Sequence, residues 1–414
     1  MKAGARSPST GLTGFDNTGT LETMQLILFG AGNIGRSFIA PVFAAGGYEV
    51  VFVDISEVLV EALNRRGRYD VELIGADGVR TRNVVEGVSA ISALDESAVA
   101  ECLVTADLAA TAVGLAGFKP VFRLVAAGLA RRAAIRPNKP LDIILAENIP
   151  DAALTARLII RETEGTAVCG LVETSIGKMV QIMPSNVVAE DPLLVYAEPY
   201  NTLIVDRRGF TGAVPEVPNL RAVDDIRAYV HRKLFVHNLG HAAVAYLGFA
   251  TAPDQTKVAG AVRLPELREA ARAAMQQSAD GLYGAYRAVF EPGSLETHIE
   301  DLLFRFENEA LGDTVFRVGR DLRRKLARDD RVVGAMRLLA GLGLPMHRIA
   351  DVYAAALGFQ AAGEDGKQHP GDSETIRMYE DLGLDSFMEA VSGLESGRDD
   401  VVIASIREAV ERAS

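Results

Sequence analysis

The sequence predicts an α/β domain followed by a mostly α-helical one, and three observations carry that prediction. A short apolar run, Gln25-Leu26-Ile27-Leu28-Phe29, passes directly into the glycine-spaced turn Gly30-Ala31-Gly32-Asn33-Ile34-Gly35. Strand-like and helix-like patterns then alternate through the first half, as a parallel sheet with crossover helices requires. From about Val223 the strand signals fade and long helical periodicities take over, at 224–248, 256–284, 295–308, 319–342, 346–359 and 399–412. With 414 residues, 49% of them hydrophobic, the chain has material for two cores.

Residues 1–23 come first. They are rich in Gly, Ser and Thr, show no periodic apolar pattern and lack the apolar core of a signal peptide. They are expected to form a disordered N-terminal extension, with the ordered chain starting at Met24. After the strand at 25–29 come the glycine turn, a helix through Phe38, Val42 and Phe43, a break at Gly46-Gly47 and a second strand over Val50–Asp54. A lone G-x-G-x-x-G says little. Set between a strand and a helix, with an acid (Asp54) about 20 residues on, it has the context of a Rossmann-type dinucleotide-binding fingerprint. Gly30 makes the tight turn, Gly32 lets a pyrophosphate approach the backbone, and Gly35 lets helix and strand pack closely. Ala31, Asn33 and Ile34 complete the loop, and the helix N-terminus favours the phosphate charge. Asp54 would accept hydrogen bonds from an adenosine ribose and repel a 2′-phosphate. No Arg follows it directly, so NAD is expected rather than NADP. The competing reading is a glycine-rich turn that binds nothing.

Further along, Asp107–Val113 reads as a strand ending at Gly114, where a cofactor ribose or nicotinamide would lie. Phe118 to Ala133 reads as a helix whose basic end, with Arg131, Arg132 and Arg136, suits its dipole. Leu141–Ala146 is another buried strand and leads into Glu147-Asn148. Ligands of such sheets gather at the carboxyl ends of strands. Asn148 is therefore placed to meet cofactor and substrate, or alternatively to cap a helix starting near Pro150. Strands are also expected at 167–172, 193–198 and 202–206, and 211–219 reads as a linker. The predicted domains are a Rossmann-type NAD-binding domain over 24–215 and a helical substrate and catalytic domain over 216–414.

The second half is organised around Lys233-Leu-Phe-Val-His-Asn238-Leu-Gly-His241, which reads as part of one helix. At about 100° per residue, His241 lies roughly 80° and Asn238 roughly 140° round from Lys233. One face of a single helix can thus offer an amine, an amide and an imidazole. A desolvated Lys with a lowered pKa suits proton removal from an alcohol, an Asn can donate to the developing alkoxide, and a His can orient a hydroxyl or carbonyl. The same residues also read as ordinary surface and cap positions. Two loop-like runs follow. Arg305-Phe306-Glu307-Asn308 precedes a break at Gly312. The basic run from Arg317 through Arg320, Arg323 and Arg324 to Lys325 could clamp a phosphate or carboxylate, or simply form an ion-paired helix face with Asp321, Asp329 and Asp330.

Composition narrows the function. A formal net charge of −12 argues against nucleic acid or an anionic membrane as the partner. No apolar run reaches the ~18 residues of a membrane span. The two cysteines, Cys102 and Cys169, offer neither a disulfide framework nor a thiolate metal site, and suit a reducing cytoplasm.

Taken together, Gly30-Ala-Gly-Asn-Ile-Gly-Arg36, Ala146-Glu-Asn148, Arg232-Lys-Leu-Phe with Asn238-x-Gly-His241, Arg305-Phe-Glu-Asn308 and Arg317-Val-Gly-Arg with Arg324-Lys-Leu326 resemble the polyol-specific long-chain dehydrogenases, over roughly residues 24–410. The resemblance implies a metal-independent, NAD-linked interconversion of a polyol (phosphate) and a ketose (phosphate), with mannitol 1-phosphate and fructose 6-phosphate foremost. It places the general acid/base on Lys233, the alkoxide-stabilising amides on Asn238 and Asn148, the orienting imidazole on His241, and the basic substrate contacts on Arg317 and Lys325. It further implies a monomer. An unphosphorylated sugar alcohol or a uronate is the alternative substrate, and an NAD-binding sensor without turnover the alternative function.

One stretch departs from that family's pattern. Relatives carry an Asp-Arg pair where this chain has Gly177-Lys178, which leaves the polyol open and bears on the Lys233 pKa, with Glu173 or Glu147 available to compensate. His231, two positions before Lys233, stands where close relatives often carry Glu.

Overall fold

The computed structural model describes residues 23–164, 168–181 and 183–413. The expected N-terminal extension lies outside them except for its last residue. The chain divides into two compact units: Arg80–Ile226 joins the preceding chain up to Leu73 as one, and Ile74–Val79 joins Arg227–Ser414 as the other.

The first unit is built on an eight-stranded sheet and a three-stranded one. In chain order its strands are β1 (Gln25–Phe29), β2 (Glu49–Asp54), β3 (Arg68–Ile74), β4 (Arg80–Glu86), β5 (Val88–Ser92), β6 (Leu108–Thr111), β7 (Leu141–Leu145), β8 (Cys169–Ser175), β9 (Val195–Ala197), β10 (Leu203–Asp206) and β11 (Leu220–Val223). The main sheet runs β11-β10-β8-β7-β6-β1-β2-β5, and a smaller one runs β4-β3-β9. Its pairings are parallel except β10 with β8. Both faces of the sheet are covered, so its central strands are apolar throughout rather than alternating. Leu26 and Leu28 pack with Phe38, Phe43 and Phe52 on one face. Ile27 and Phe29 pack with Phe118, Phe122 and Leu129 on the other. Because β2 and β6 flank β1, the turns after β1 and β6 meet at a topological switch point, where open α/β sheets bind their ligands.

Two features extend this unit beyond the sequence reading. The segment read as a linker at 211–219 is followed by β11, which pairs with β10, so the unit continues past residue 215 to Ile226. Of the smaller sheet only β9 was expected from sequence, within the strand read at 193–198; β3 and β4 were not. Its β4 is exposed over most of its length and so lacks the apolar alternation that marks a strand.

The second unit is helical. Its centre is the largely apolar, mostly buried helix Leu239–Thr251, which packs against Pro265–Ala285, Val315–Gly319 and His347–Leu357. The region read as one helix over 319–342 is instead two short pieces, Leu322–Lys325 and Val333–Gly341, separated by residues 326–332; Asp321, in a left-handed conformation (φ 71°), sets the start of the first. A helix over Pro370–Ala390 was not anticipated. It is polar, and Gly383 (φ 73°) interrupts it, which blurs its period. Among the described residues no helix is long and apolar enough to cross a membrane.

Candidate active site

Gly30 turns the chain out of β1 with φ 97°, and a Cβ there would lie 2.5 Å from the Ala112 carbonyl oxygen beyond β6. Only glycine permits that approach. A Cβ on Gly32 would meet nothing within 4 Å, so this backbone is bare toward open space. The Asp54 carboxylate accepts from the Ala31 N–H at 2.6 Å and the Ser56 N–H at 2.8 Å, which ties the end of β2 to the loop. The Asn33 amide donates to the Gln181 carbonyl at 3.3 Å. Arg36, buried just after the loop, donates to the Ala31 carbonyl at 2.6 Å and the Pro192 carbonyl at 2.7 Å. The sequence placed Arg36 within the motif but gave no sign of this bracing role.

Glu147 is a second organiser. Its two carboxylate oxygens accept from Val113 N–H (2.8 Å) and Gly114 N–H (2.9 Å), so the turn after β6 is held from β7. Burial pushes its carboxyl pKa up, and those N–H bonds pull the other way. The Gly114 N–H is thereby engaged within the protein. Asn148 is exposed beyond β7. The helix it was a candidate to cap begins at Ala152, and there Glu173 accepts from the Ala153 N–H at 3.1 Å.

In the second unit the sequence predicts one continuous α-helix through Lys233. The structure has α-helix over Ile226–Arg232, a π-helical turn over Lys233–Asn238, and α-helix again from Leu239. The distinction bears on the chemistry. In an α-helix Lys233 and Asn238 point well apart, whereas i→i+5 bonding sets residues five apart one above the other. The π turn therefore brings the amine and the amide onto one face. His241, three residues further, is the next neighbour along the α-helix. Burial pulls the Lys233 ammonium down to about 8, and the Arg331 guanidinium adds to the effect. Arg331 was not singled out from the sequence.

The His241 ring lies flat on Phe306, with centroids 4.6 Å apart and planes at 7°. The run Arg305-Phe306-Glu307-Asn308 is thus a scaffold: Arg305 pairs with Asp301 at 3.2 Å, Glu307 with Arg268, and the Asn308 amide donates to the Ile74 carbonyl at 2.7 Å. His237 is buried beside this group, and burial holds its pKa well below the ordinary value, with Arg305 and His241 adding to the shift.

The basic run is held from within. Tyr246 donates to the Gly319 carbonyl at 2.9 Å, and the Asp372 carboxylate accepts from the N–H groups of Asp321 (3.0 Å) and Leu322 (2.7 Å). Arg324 pairs with Asp321 and Asp330, and Arg317 with Asp313. Much of the run therefore matches the ion-paired reading.

Comparison with known proteins decides the family. Residues 24–219 match the model of the mannitol dehydrogenase Rossmann domain, and residues 225–391 that of the mannitol dehydrogenase C-terminal domain. The chain belongs to the mannitol dehydrogenase family. It is 36% identical over 382 residues to the mannitol-1-phosphate 5-dehydrogenase of Bacillus licheniformis, covering 90% of this chain and 96% of that one. Among solved structures, a D-sorbitol dehydrogenase matches with a TM-score of 0.73 at 16% identity, covering 96% of each chain. The Pseudomonas fluorescens mannitol 2-dehydrogenase, in a ternary complex with NAD and D-mannitol, matches with a TM-score of 0.69 at 16% identity, covering 94% of this chain and 91% of that one. These two show the shared fold, and the resemblance read from the motifs is borne out.

Three further residues of this mannitol dehydrogenase family member concern the Gly177-Lys178 departure and the basic run. At Gly177, a Cβ would stand 3.3 Å from the Tyr200 hydroxyl, so that tyrosine borders the space a larger residue would take. Its neighbour Lys178 is buried with its ammonium 5.5 Å from the Phe38 ring centroid. Lys325, expected to hold substrate, is buried and donates to the Val318 carbonyl at 2.6 Å and to that of Arg320. Burial lowers its pKa to about 7, and the nearby Arg331 and Arg324 contribute. Two of the three donors an ammonium offers thus brace the segment itself. Lys325→Met should leave both carbonyls unsatisfied and cost about 1–3 kcal/mol of stability, read by thermal or urea unfolding. A variant as stable as the parent would show that the brace is dispensable.

Proposed function

We propose that this enzyme interconverts mannitol 1-phosphate and fructose 6-phosphate, without a metal, with Lys233 as general acid/base. As a member of the mannitol dehydrogenase family it is an NAD-dependent polyol dehydrogenase. The observation that carries the mechanism is the Lys233 amine, brought to about 8 by burial on the π turn that also carries Asn238. The first unit suits the cofactor: the backbone at Gly32 is bare, and Asp54 stands at the end of β2. When bound, NAD supplies the hydride acceptor. In the oxidation Lys233 takes the proton of the carbinol hydroxyl as the same carbon loses its hydride, and in the reduction it returns that proton to the ketose oxygen. Asn238 and Asn148 donate to the oxygen as its charge grows, and His241 fixes the substrate hydroxyl or carbonyl in place. Arg317 and Lys325 hold the far end. Gly30, Ala31, Gly32, Asn33, Ile34, Gly35 and Gly114 shape the cofactor side.

The phosphate rests on the basic pair and on the Bacillus relative's named activity. One observation favours an unphosphorylated polyol or a uronate instead: Arg317 is already paired with Asp313, so its net pull on a dianion is reduced. Assays of NADH oxidation with fructose 6-phosphate, fructose and fructuronate separate these. Rapid oxidation with the phosphorylated ketose alone is expected. Oxidation with fructose or fructuronate alone would move the substrate, and NADH binding without turnover of any would point to a sensor. The proposed setting is a reducing cytoplasm, in keeping with the free Cys102 and Cys169, and the proposed state a monomer.

A further inference from the structure

We propose that Asp313 is a positioning residue that yokes His241 to Arg317. One carboxylate oxygen, Oδ2, lies 3.4 Å from His241 Nε2, and the other, Oδ1, pairs with the Arg317 guanidinium. The carboxylate is sheltered, with 9% of its side chain exposed against 17% for His241 and 34% for Arg317. It is therefore unlike a solvated surface pair, whose effect is small. At 3.4 Å the imidazole contact is long for a hydrogen bond, and it sets the carboxylate at the Nε2 edge of the ring.

Asp313 also stands on a rigid mount. Its carbonyl accepts from the Val258 N–H at 3.0 Å, the Val315 N–H donates to Thr256 at 2.9 Å, and Thr314 pairs with Lys257. The Arg317 N–H donates to the Thr314 hydroxyl at 3.1 Å. Phe306 fixes the plane of the His241 ring and Asp313 faces its edge, so together they fix the ring's rotation as well. A carboxylate at Nε2 favours the tautomer with the proton there, which leaves Nδ1 as the acceptor. The same carboxylate restrains the Arg317 fork. One side chain thus sets both the hydrogen-bonding sense of the imidazole and the reach of the guanidinium.

This inference rests on the reading of His241 and Arg317 as substrate contacts, and its test separates the two. Asp313→Asn keeps the shape and removes the charge. With fructose 6-phosphate it should raise KM about tenfold or more, on the scale of one hydrogen bond to a charged group. The KM for NADH should stay at the parent value. Combined with Arg317→Ala, it should add less than its separate effect, because the two share one interaction. Histidine ¹⁵N spectra give a second, variant-independent readout, with only six histidines to assign. His241 in the intact enzyme should carry its proton on Nε2, and Asp313→Asn should mix the tautomers. A wild-type His241 protonated on Nδ1 alone would overturn the proposal, even if the variant folded poorly. Unchanged KM in Asp313→Asn, with His241→Asn and Arg317→Ala both impaired, would overturn it and leave the active-site reading intact. Unchanged kinetics in all three variants would overturn both.

Discussion

Lys233→Ala is expected to lower turnover about a thousandfold or more while NADH still binds, since loss of a general base typically removes 10²–10⁴. The pH profile of the parent enzyme should show the same group. Polyol oxidation needs the neutral amine, so its rate should climb with pH and level off above about 8, the value to which burial and Arg331 bring Lys233. Arg331→Met, which removes the second cause, should move that inflection upward. Stability offers a control. The folded-state pKa lies below the unfolded Lys value of 10.5, so the native protein holds fewer protons than the unfolded chain between about 8 and 10.5. Stability from this group therefore rises with pH across that window, and below it the buried ammonium is a cost. Lys233→Ala should accordingly fold at least as well near neutral pH, which separates a catalytic loss from an unfolded enzyme. Near-normal turnover in the variant would remove Lys233 from the role of base.

How much of this was legible in the sequence differs by kind of signal. The glycine loop, Asp54 and the β1-turn-helix order were readable because each glycine answers a local backbone demand that shows in the sequence itself. The chain's division into a sheet-bearing half and a helical half was readable from period alone. The π turn was not. Lys233–Asn238 has the composition of an α-helix, and no residue in it marks the wider turn. Nor were the carboxylates that organise the site legible as such. Glu147 reaches Val113 and Gly114 across the sheet, and Asp313 reaches His241 across the helical unit, contacts between residues far apart in sequence. The basic run was open to two readings, an anion clamp and an ion-paired face; the structure pairs Arg324 and Arg317 with aspartates and buries Lys325 against carbonyls, partnerships that composition alone does not assign.

Gly35→Ala carries the largest expected effect on the cofactor side. A Cβ there would stand 2.1 Å from the Gly30 carbonyl oxygen and 3.2 Å from its carbon, and both are backbone atoms that no rotamer change can move. The loop would have to open. Opening strains the Gly30 N–H bond to the Val53 carbonyl (2.9 Å) and the Ala31 N–H bond to Asp54 (2.6 Å), the contacts that shape the proposed pyrophosphate cradle. Overpacking of this kind costs about 1–3 kcal/mol of stability. NADH affinity should fall about a hundredfold, because roughly 1.4 kcal/mol of lost preorganisation corresponds to each factor of ten. Gly32→Ala is the informative partner. Its Cβ meets nothing within 4 Å, so the protein should melt as the parent does. It should nonetheless bind NADH more weakly, since the added methyl occupies the space through which the phosphates approach. The two variants thus divide one motif into a packing glycine and a binding glycine. Fluorescence titration with NADH beside a thermal melt reads both. Parent-like affinity in Gly32→Ala would mean that the cofactor does not approach this backbone, and would move the binding site away from the turn after β1.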